Sequence, residues 1–146
     1  MTDNVSEAKA RLRTQVLTDR SLALATETAD LFGKQLLKLC DQLGAKTVGV
    51  YLSFGSEPAT DAFVVSAKKA GISLSAPRTG PESTMEFAML EGPTESTALG
   101  FLQPVGEIVE PKELDLIIAP ALCLDEKGNR LGRGGGFFDR YLAEFS

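Results

Sequence analysis

The sequence contains no histidine and only two cysteines, and these absences exclude several kinds of chemistry. Without histidine there is no Ser-His or Cys-His nucleophile pair, no histidine general base and no histidine metal ligand. Cys40 and Cys123 lie far apart and neither belongs to a CxxC pair, so we expect both to be small buried hydrophobic residues. Chemistry in this chain must therefore rely on carboxylates, lysine, arginine and backbone groups.

Long apolar segments are also missing from the sequence. The N-terminal residues are polar, and the longest apolar run, 116–124, is interrupted by Pro120, which predicts a soluble, cytoplasmic protein that does not associate with membranes. The formal net charge of −5 argues against a general nucleic-acid-binding protein. An anionic ligand would therefore need a local basic cluster. The candidates for this cluster are Lys9, Arg11, Arg13, Arg78, Arg130 and Arg133.

The segment from Arg130 to Asp139 concentrates four glycines, two arginines and one carboxylate between an apolar strand and a predicted helix. Glycine allows backbone N–H groups to approach an anion, and the N-terminus of the next helix adds unpaired donors. Arg130 and Arg133 are able to clamp phosphate oxygens, and Asp139 is able to hold a magnesium ion that bridges them. The alternative is a glycine-rich turn with solvated arginines. The pattern matches neither a Walker A loop nor a dinucleotide-binding fingerprint.

The chain length predicts a single α/β domain, residues 1–146. Periodicity and turn residues predict helices over 5–20, 22–43, 60–71 and from 137, and strands over 47–53, 72–76, 85–90 and 114–122. Residues 91–111 read as an irregular loop that lines a site. These elements favour a three-layer open sheet, mostly parallel, with helices on both faces. The order places the glycine-rich phosphate loop at the carboxyl end of a central strand, where such sheets bind ligands.

Two nearly continuous segments, Ala119–Asp125 and Gly128–Leu142, resemble the 5-formyltetrahydrofolate cyclo-ligase family. Weaker features occur in the same order as in that family: Lys9 and Arg13 on the first helix, Glu57 followed by Thr60, Pro77-Arg78, and Met85-x-Phe87. The resemblance implies an ATP-dependent conversion of 5-formyltetrahydrofolate to 5,10-methenyltetrahydrofolate with release of ADP and phosphate. In that reaction the formyl oxygen is phosphorylated and N10 then attacks the activated carbon. ATP and Mg²⁺ would be required, and the protein is expected to be a monomer or a weak homodimer.

The same resemblance assigns roles to individual residues. Lys9 and Arg13 would contact the ATP phosphates, Leu52 and Glu57 the folate, and Asp139 the metal, with Arg133 and Asp139 acting in catalysis. The residues that would surround the nucleotide are Arg130, Leu131, Gly132, Arg133, Gly134, Gly135, Gly136, Phe137 and Phe138. From the residues alone, other interpretations stay open. Lys9 and Arg13 would then lie on a solvated helix face, Leu52 would be a plain core residue and Glu57 an ordinary loop carboxylate.

The sequence departs from the family pattern in two places. Phe137 and Phe138 stand where many members have tyrosines, which removes any hydroxyl contribution while ring packing remains. The chain ends at Ser146, where the family usually continues, so we expect it to lack the family's C-terminal segment. Two alternatives to the ligase remain: a nucleotide- or folate-binding relative without turnover, and an α/β phosphosugar-binding protein.

Overall fold

The computed structural model describes residues 2–22 and 26–145. In chain order the helices are α1 (Thr2–Leu22), α2 (Thr26–Leu43), α3 (Asp61–Lys69) and α4 (Phe137–Phe145). The strands, also in chain order, are β1 (Thr47–Val50), β2 (Ser73–Thr79), β3 (Met85–Met89), β4 (Thr94–Ser96), β5 (Leu102–Pro104), β6 (Ile108–Val109), β7 (Leu116–Ile118), β8 (Cys123–Leu124) and β9 (Arg130–Leu131). Within this described part, no helix is long and apolar enough to cross a bilayer.

The central sheet has five strands in the order β6-β3-β2-β1-β7. Strand β1 pairs in parallel with β2 and with β7, while β3 is antiparallel to both β2 and β6. Four strands therefore run in one direction and only β3 runs against them, which confirms a mostly parallel α/β sheet. The sequence predicted that the strand over 114–122, which precedes the glycine segment, is a central strand. This prediction is wrong, because the corresponding strand β7 pairs only with β1 and forms an edge of the sheet among the described residues.

The two faces of the sheet are covered by different helices. On one face, Val48 and Val50 of β1 and Leu74 of β2 pack in a core with Cys40 of α2 and Phe63 of α3. Cys40 is 1% exposed, as expected for a small buried residue, whereas Cys123 is only half-buried. Packing of the apolar stripe of α2 against α3 thus fixes one layer of the fold.

On the opposite face, Phe87 of β3 and Tyr141 of α4 form the second core, with ring centroids 4.8 Å apart. Gly49 points to this face, and a Cβ there would lie 2.7 Å from the Phe87 ring, so the ring occupies the space of the missing side chain. Helix α4 is therefore fixed to the sheet by aromatic packing, which also fixes the direction of the segment that enters it.

Several predicted boundaries need correction. Residues 91–111 are not an irregular loop, because they contain the β4-β5 hairpin and strand β6, which extends the sheet beside β3. The strand predicted over 114–122 is confined to Leu116–Ile118, because Pro120 has no N–H for the ladder and the chain leaves the sheet there. The predicted start of the second helix falls partly on residues 23–25, which lie outside the described residues, and its predicted end before Gly44 is confirmed.

Candidate functional site

A cavity of about 690 Å³ opens at the carboxyl ends of β1, β2 and β7. Its walls come from α1, the β1–α3 loop (residues 51–60), the β4-β5 hairpin and the glycine loop (residues 132–136) with the start of α4. Parallel strands bring these segments together because their carboxyl ends meet at one edge of the sheet. The cavity therefore lies at the carboxyl edge of the sheet beside the glycine loop, although β7 is an edge strand.

The glycine loop is attached to α1 by an arginine. Arg13 donates from Nε to the carbonyl oxygen of Gly132 at 2.9 Å, and its guanidinium carbon lies 3.6 Å from where Gly134 would carry a Cβ. Gly134 has a φ of +112°, which side-chain-bearing residues rarely adopt. The loop can therefore take this path beside Arg13 only with glycine at this position.

Arg130 connects the end of β9 to two other parts of the wall. It donates from Nη1 to the Pro120 carbonyl at 2.6 Å and from Nη2 to Asp139 Oδ1 at 2.9 Å, and its guanidinium lies over the Phe138 ring at 5.5 Å. The Arg130 side chain is 15% exposed, whereas that of Asp139 is 67% exposed. Arg130 is thus largely occupied by protein groups, while Asp139 presents its carboxylate to solvent at the start of α4.

An ion pair spans the cavity between the β1–α3 loop and the glycine loop. Arg133 Nε lies 3.4 Å from Glu57 Oε1, and the other Glu57 oxygen accepts a hydrogen bond from the Phe54 N–H at 2.9 Å. Glu57 is 13% exposed and Arg133 is 46% exposed. Leu52, in the same loop, lines the cavity and also packs against the core behind it. The pair of residues expected to contact the folate thus lies on one wall, opposite the glycine loop.

Tyr51 lies beneath this wall and stays uncharged at neutral pH. Burial, with a further contribution from the charge of Glu57, raises its pKa to about 12, although the charge of Arg20 acts in the opposite direction. Its hydroxyl donates to the Pro58 carbonyl at 2.7 Å. Tyr51 therefore supports the loop and is not available as a general base.

The structure does not place every predicted residue in the cavity wall. Lys9 is exposed on α1 one turn before Arg13, and Leu131 lies in the β8-β9 hairpin, where its carbonyl accepts from the Leu122 N–H at 2.8 Å. Neither residue lines the cavity, whereas the other predicted site residues do: Leu52, Glu57, Arg13, Arg130, Gly132, Arg133, Gly134, Gly135, Gly136, Phe137, Phe138 and Asp139. Among the suggested basic cluster, Arg78 lines the cavity and Arg11 does not.

Sequence reasoning missed Arg20 as part of the wall, and it expected residues 91–111 to line a site as an irregular loop, whereas the β4-β5 hairpin of this segment forms part of the wall. Arg20 donates to the carbonyls of Ala121 and Leu122 at 2.7 and 3.2 Å. It follows Arg13 by seven residues, or about two helical turns, so the shared helix face was a usable signal. Phe101 of the hairpin packs edge-to-face on Phe54 with ring centroids 6.2 Å apart, and no local pattern indicated this contact.

The cavity is cationic in a chain whose formal net charge is −5. Five arginines line it, at positions 13, 20, 78, 130 and 133, against two carboxylates, Glu57 and Asp139. Within residues 2–22 and 26–145, no group of three or more acidic or cysteine side chains is arranged to hold a metal ion. A single exposed carboxylate such as Asp139, whose Oδ1 also pairs with Arg130, nevertheless fits Mg²⁺ that is bound mainly through substrate phosphates and water. The wall is therefore suited to an anion such as a polyphosphate.

Comparison with known proteins gives a consistent result. The model of the 5-formyltetrahydrofolate cyclo-ligase family matches residues 5–146. The 5-formyltetrahydrofolate cyclo-ligase of Haemophilus influenzae is 33% identical over 113 residues, which cover 73% of this chain and 60% of that protein. The Escherichia coli K12 enzyme of the same name is 30% identical over 138 residues, which cover 87% of this chain and 76% of that protein. The NMR structure of Aquifex aeolicus 5,10-methenyltetrahydrofolate synthetase matches with a TM-score of 0.81 at 26% identity, covering 93% of this chain and 72% of that one.

Proposed function

The chain belongs to the 5-formyltetrahydrofolate cyclo-ligase family, whose model matches residues 5–146, and on that premise we propose that it closes the ring of 5-formyltetrahydrofolate at the expense of ATP. The products are 5,10-methenyltetrahydrofolate, ADP and phosphate. The observation that carries the proposal is the cationic cavity in which the glycine loop faces Leu52 and Glu57 across the carboxyl edge of the sheet. The family match also argues against the phosphosugar-binding alternative.

The reaction has two steps that this kind of wall is able to assist. A formamide carbonyl is a poor electrophile, and transfer of the γ-phosphoryl group to its oxygen turns that oxygen into a good leaving group. The neighbouring N10 then attacks the carbon, the C–O bond breaks as phosphate leaves, and the N10 proton passes to solvent. Attack within one molecule is favoured by proximity, so the protein supplies mainly positioning and charge stabilisation. This division of labour suits a cavity that has arginines and no histidine.

The residues divide into a nucleotide wall and a folate wall. On the nucleotide wall, Arg13 and Arg133 hold the phosphates together with backbone N–H groups of the glycine loop, and the more distant Lys9 adds charge at the solvent edge. Arg133 also faces the transferred group, which makes it catalytic. The residues from Arg130 to Phe138 enclose the nucleotide. Asp139 would hold Mg²⁺, which would neutralise phosphate charge.

On the folate wall, Leu52 contacts the apolar part of the ring system and Glu57 accepts hydrogen bonds from its N–H groups. The support for this role is the position of Glu57, which is 13% exposed and faces Arg133 across the cavity. A carboxylate in that position is able to orient a donor-rich ring edge while its second oxygen stays bonded to the Phe54 N–H. The formyl group would then lie between the two walls.

The test is direct, because the product absorbs light where the substrate does not. Purified protein is mixed with 5-formyltetrahydrofolate, ATP and Mg²⁺, and the methenyl-folate absorbance is followed, with each component omitted in turn. Growth of the absorbance that needs all three components supports the ligase. ATP and folate binding measured by calorimetry without any absorbance change would instead support a binding protein without turnover. Absence of both binding and turnover would contradict the proposal.

A further inference from the structure

The β1–α3 loop depends on side-chain hydrogen bonds for its shape. It carries Leu52, Phe54 and Glu57 to the cavity, yet it contains no helix or strand. A loop without a backbone ladder must be fixed by other contacts if its side chains are to meet a ligand in one geometry. The question is which residue fixes it.

Thr60, at the end of this loop, makes three hydrogen bonds across its neck. Its hydroxyl donates to the Tyr51 carbonyl at 2.8 Å and accepts from the Ser53 N–H at 3.1 Å, and its own N–H donates to the Ser53 hydroxyl at 3.1 Å. Thr60 is 1% exposed, and its bond to the Tyr51 carbonyl is buried, while the two bonds with Ser53 are part-buried. One buried side chain therefore closes the loop on the end of β1.

The Thr60 hydroxyl is not used to cap the helix that follows. Thr60 occupies the N-cap position of α3, but its side chain makes no capping bond. Its carbonyl oxygen still accepts from the Val64 N–H at 2.9 Å, as the first turn of a helix requires. Removal of the hydroxyl should therefore disturb the loop and leave α3 intact.

We propose that Thr60 is a positioning residue for recognition of the reduced folate, because its hydroxyl fixes the loop that presents Leu52 and Glu57. This inference rests on the proposed function. A hydroxyl is needed because the same atom donates to one backbone group and accepts from another, which valine cannot do although its shape is nearly the same. In a Thr60→Val protein, the buried Tyr51 carbonyl and the part-buried Ser53 N–H both lose this partner, so the loop shifts or loosens.

The effect should be selective for the folate. The glycine loop lies between β9 and α4. Arg13 attaches this loop to α1, and Arg130, just before the loop, bonds to the Pro120 carbonyl, so neither bond involves the β1–α3 loop. A described contact between the two loops is the Glu57–Arg133 pair, whose arginine is 46% exposed and which is correspondingly weak. Nucleotide affinity should therefore change little when the Thr60 hydroxyl is removed.

The experiment compares three variants by calorimetry, with 5-formyltetrahydrofolate and with Mg-ATP as separate ligands. Thr60→Val should raise the dissociation constant for the folate by about ten-fold and that for ATP by less than about two-fold, given two lost hydrogen bonds. Thr60→Ser, which keeps the hydroxyl, should restore folate affinity to within about three-fold of the parent. Ser75→Ala is the control, since Ser75 of β2 is, like Thr60, a buried hydroxyl residue, but its hydroxyl has no described hydrogen-bond partner, so both affinities should stay unchanged.

Equal losses of folate and ATP affinity in Thr60→Val would show that Thr60 has a merely structural role, and this would overturn the inference. Unchanged folate affinity in Thr60→Val would also overturn it. If Thr60→Val fails to fold, Ser53→Ala removes the acceptor of the Thr60 N–H and should show the same selectivity with a smaller loss. Equal losses, or no loss, in Ser53→Ala would overturn the inference in that case. If the parent protein does not bind the folate, the proposed function itself is contradicted. If the parent binds the folate and the Thr60→Val variant binds it equally well, only the role of Thr60 is contradicted.

Discussion

The two basic residues that the sequence places together on α1 should differ strongly in their effect on ATP binding. Lys9 and Arg13 are one helical turn apart, but Arg13 lines the cavity and bonds to Gly132, whereas Lys9 is exposed and lies outside the wall. We therefore compare Arg13→Ala with Lys9→Ala. Arg11→Ala serves as the control, because Arg11 carries the same charge on the same helix and is exposed away from the cavity.

The size of the difference follows from the contacts. Arg13 would lose a charged hydrogen bond to phosphate, which contributes about 1.5 to 3 kcal/mol, and would also release the glycine loop from α1. The dissociation constant for Mg-ATP should therefore rise by about 10- to 150-fold. Exposed charges contribute about 1 kcal/mol or less, so Lys9→Ala should cost less than about five-fold. Arg13→Lys should fall between the parent and Arg13→Ala, because it keeps the charge without the planar guanidinium.

The assay is calorimetric titration with Mg-ATP at constant ionic strength, with circular dichroism to confirm that each variant is folded. Salt must be held constant because screening weakens the exposed Lys9 contribution more than that of the half-buried Arg13. An Arg13→Ala protein that binds ATP as the parent does, or a Lys9→Ala loss equal to the Arg13→Ala loss, would refute the assignment. A comparable loss in Arg11→Ala would show that only the total charge of α1 matters.

Three further predictions concern the site and its support. Arg130→Ala should lower the free energy of unfolding by about 2 to 4 kcal/mol in urea titrations, because it removes a charged hydrogen bond to the Pro120 carbonyl and the ring contact with Phe138. Arg140→Ala is the comparison, because Arg140 is exposed, donates to the Gly135 carbonyl at 3.2 Å and lies over the Phe137 ring at 5.1 Å; a loss in Arg130→Ala no larger than the loss in Arg140→Ala would contradict this. Asp139→Asn should raise the Mg²⁺ concentration for half-maximal turnover by roughly ten-fold or more, with little change in folate affinity; an unchanged Mg²⁺ dependence would remove Asp139 from the metal site. Burial raises the pKa of both tyrosines, Tyr51 and Tyr141, to about 12 from an ordinary value of 10.0. The folded state therefore holds these protons more tightly than the unfolded state, and the free energy of unfolding should fall as the pH rises from 10 towards 12. The chain has no tryptophan, so tyrosinate absorbance reports this titration, and a midpoint near pH 10 in folded protein would refute it.

Sequence periodicity predicted the elements whose own residues decide their structure. Helix α2 has an apolar stripe and ends before Gly44, and the unit of β1, α3 and β2 alternates a buried strand, an amphipathic helix and a second buried strand. Residues 91–111 behave differently, because their strands have two or three residues and are too short to show a period. Strand β6 forms because β3 offers it an edge, which is a tertiary effect that a local pattern does not contain.

The candidate site was predictable where one segment contains it and harder to predict where several segments meet. The glycine loop and Asp139 lie in one short segment, so their residue types and spacing were enough to predict a phosphate site there, with a glycine-rich turn as the alternative. Arg20 reaches the cavity only because α1 passes the end of β7, and its carbonyl partners at Ala121 and Leu122 are about a hundred residues away. Phe101 reaches it only because the β4-β5 hairpin folds back over Phe54. Such contacts depend on the topology, which single-sequence patterns specify weakly.

The cavity arginines differ in how readily they can exchange a protein partner for a ligand. Arg130 is 15% exposed and bonds to the Pro120 carbonyl at 2.6 Å, so a phosphate that took this donor would leave a part-buried carbonyl without its partner. Arg133 is 46% exposed and pairs with Glu57 at 3.4 Å, and such a solvent-screened pair costs about 1 kcal/mol or less to break. Of these two arginines, Arg133 is therefore the one that can exchange its protein partner for a ligand at the smaller cost in free energy, while Arg130 holds the start of α4 in place through Asp139 and Phe138.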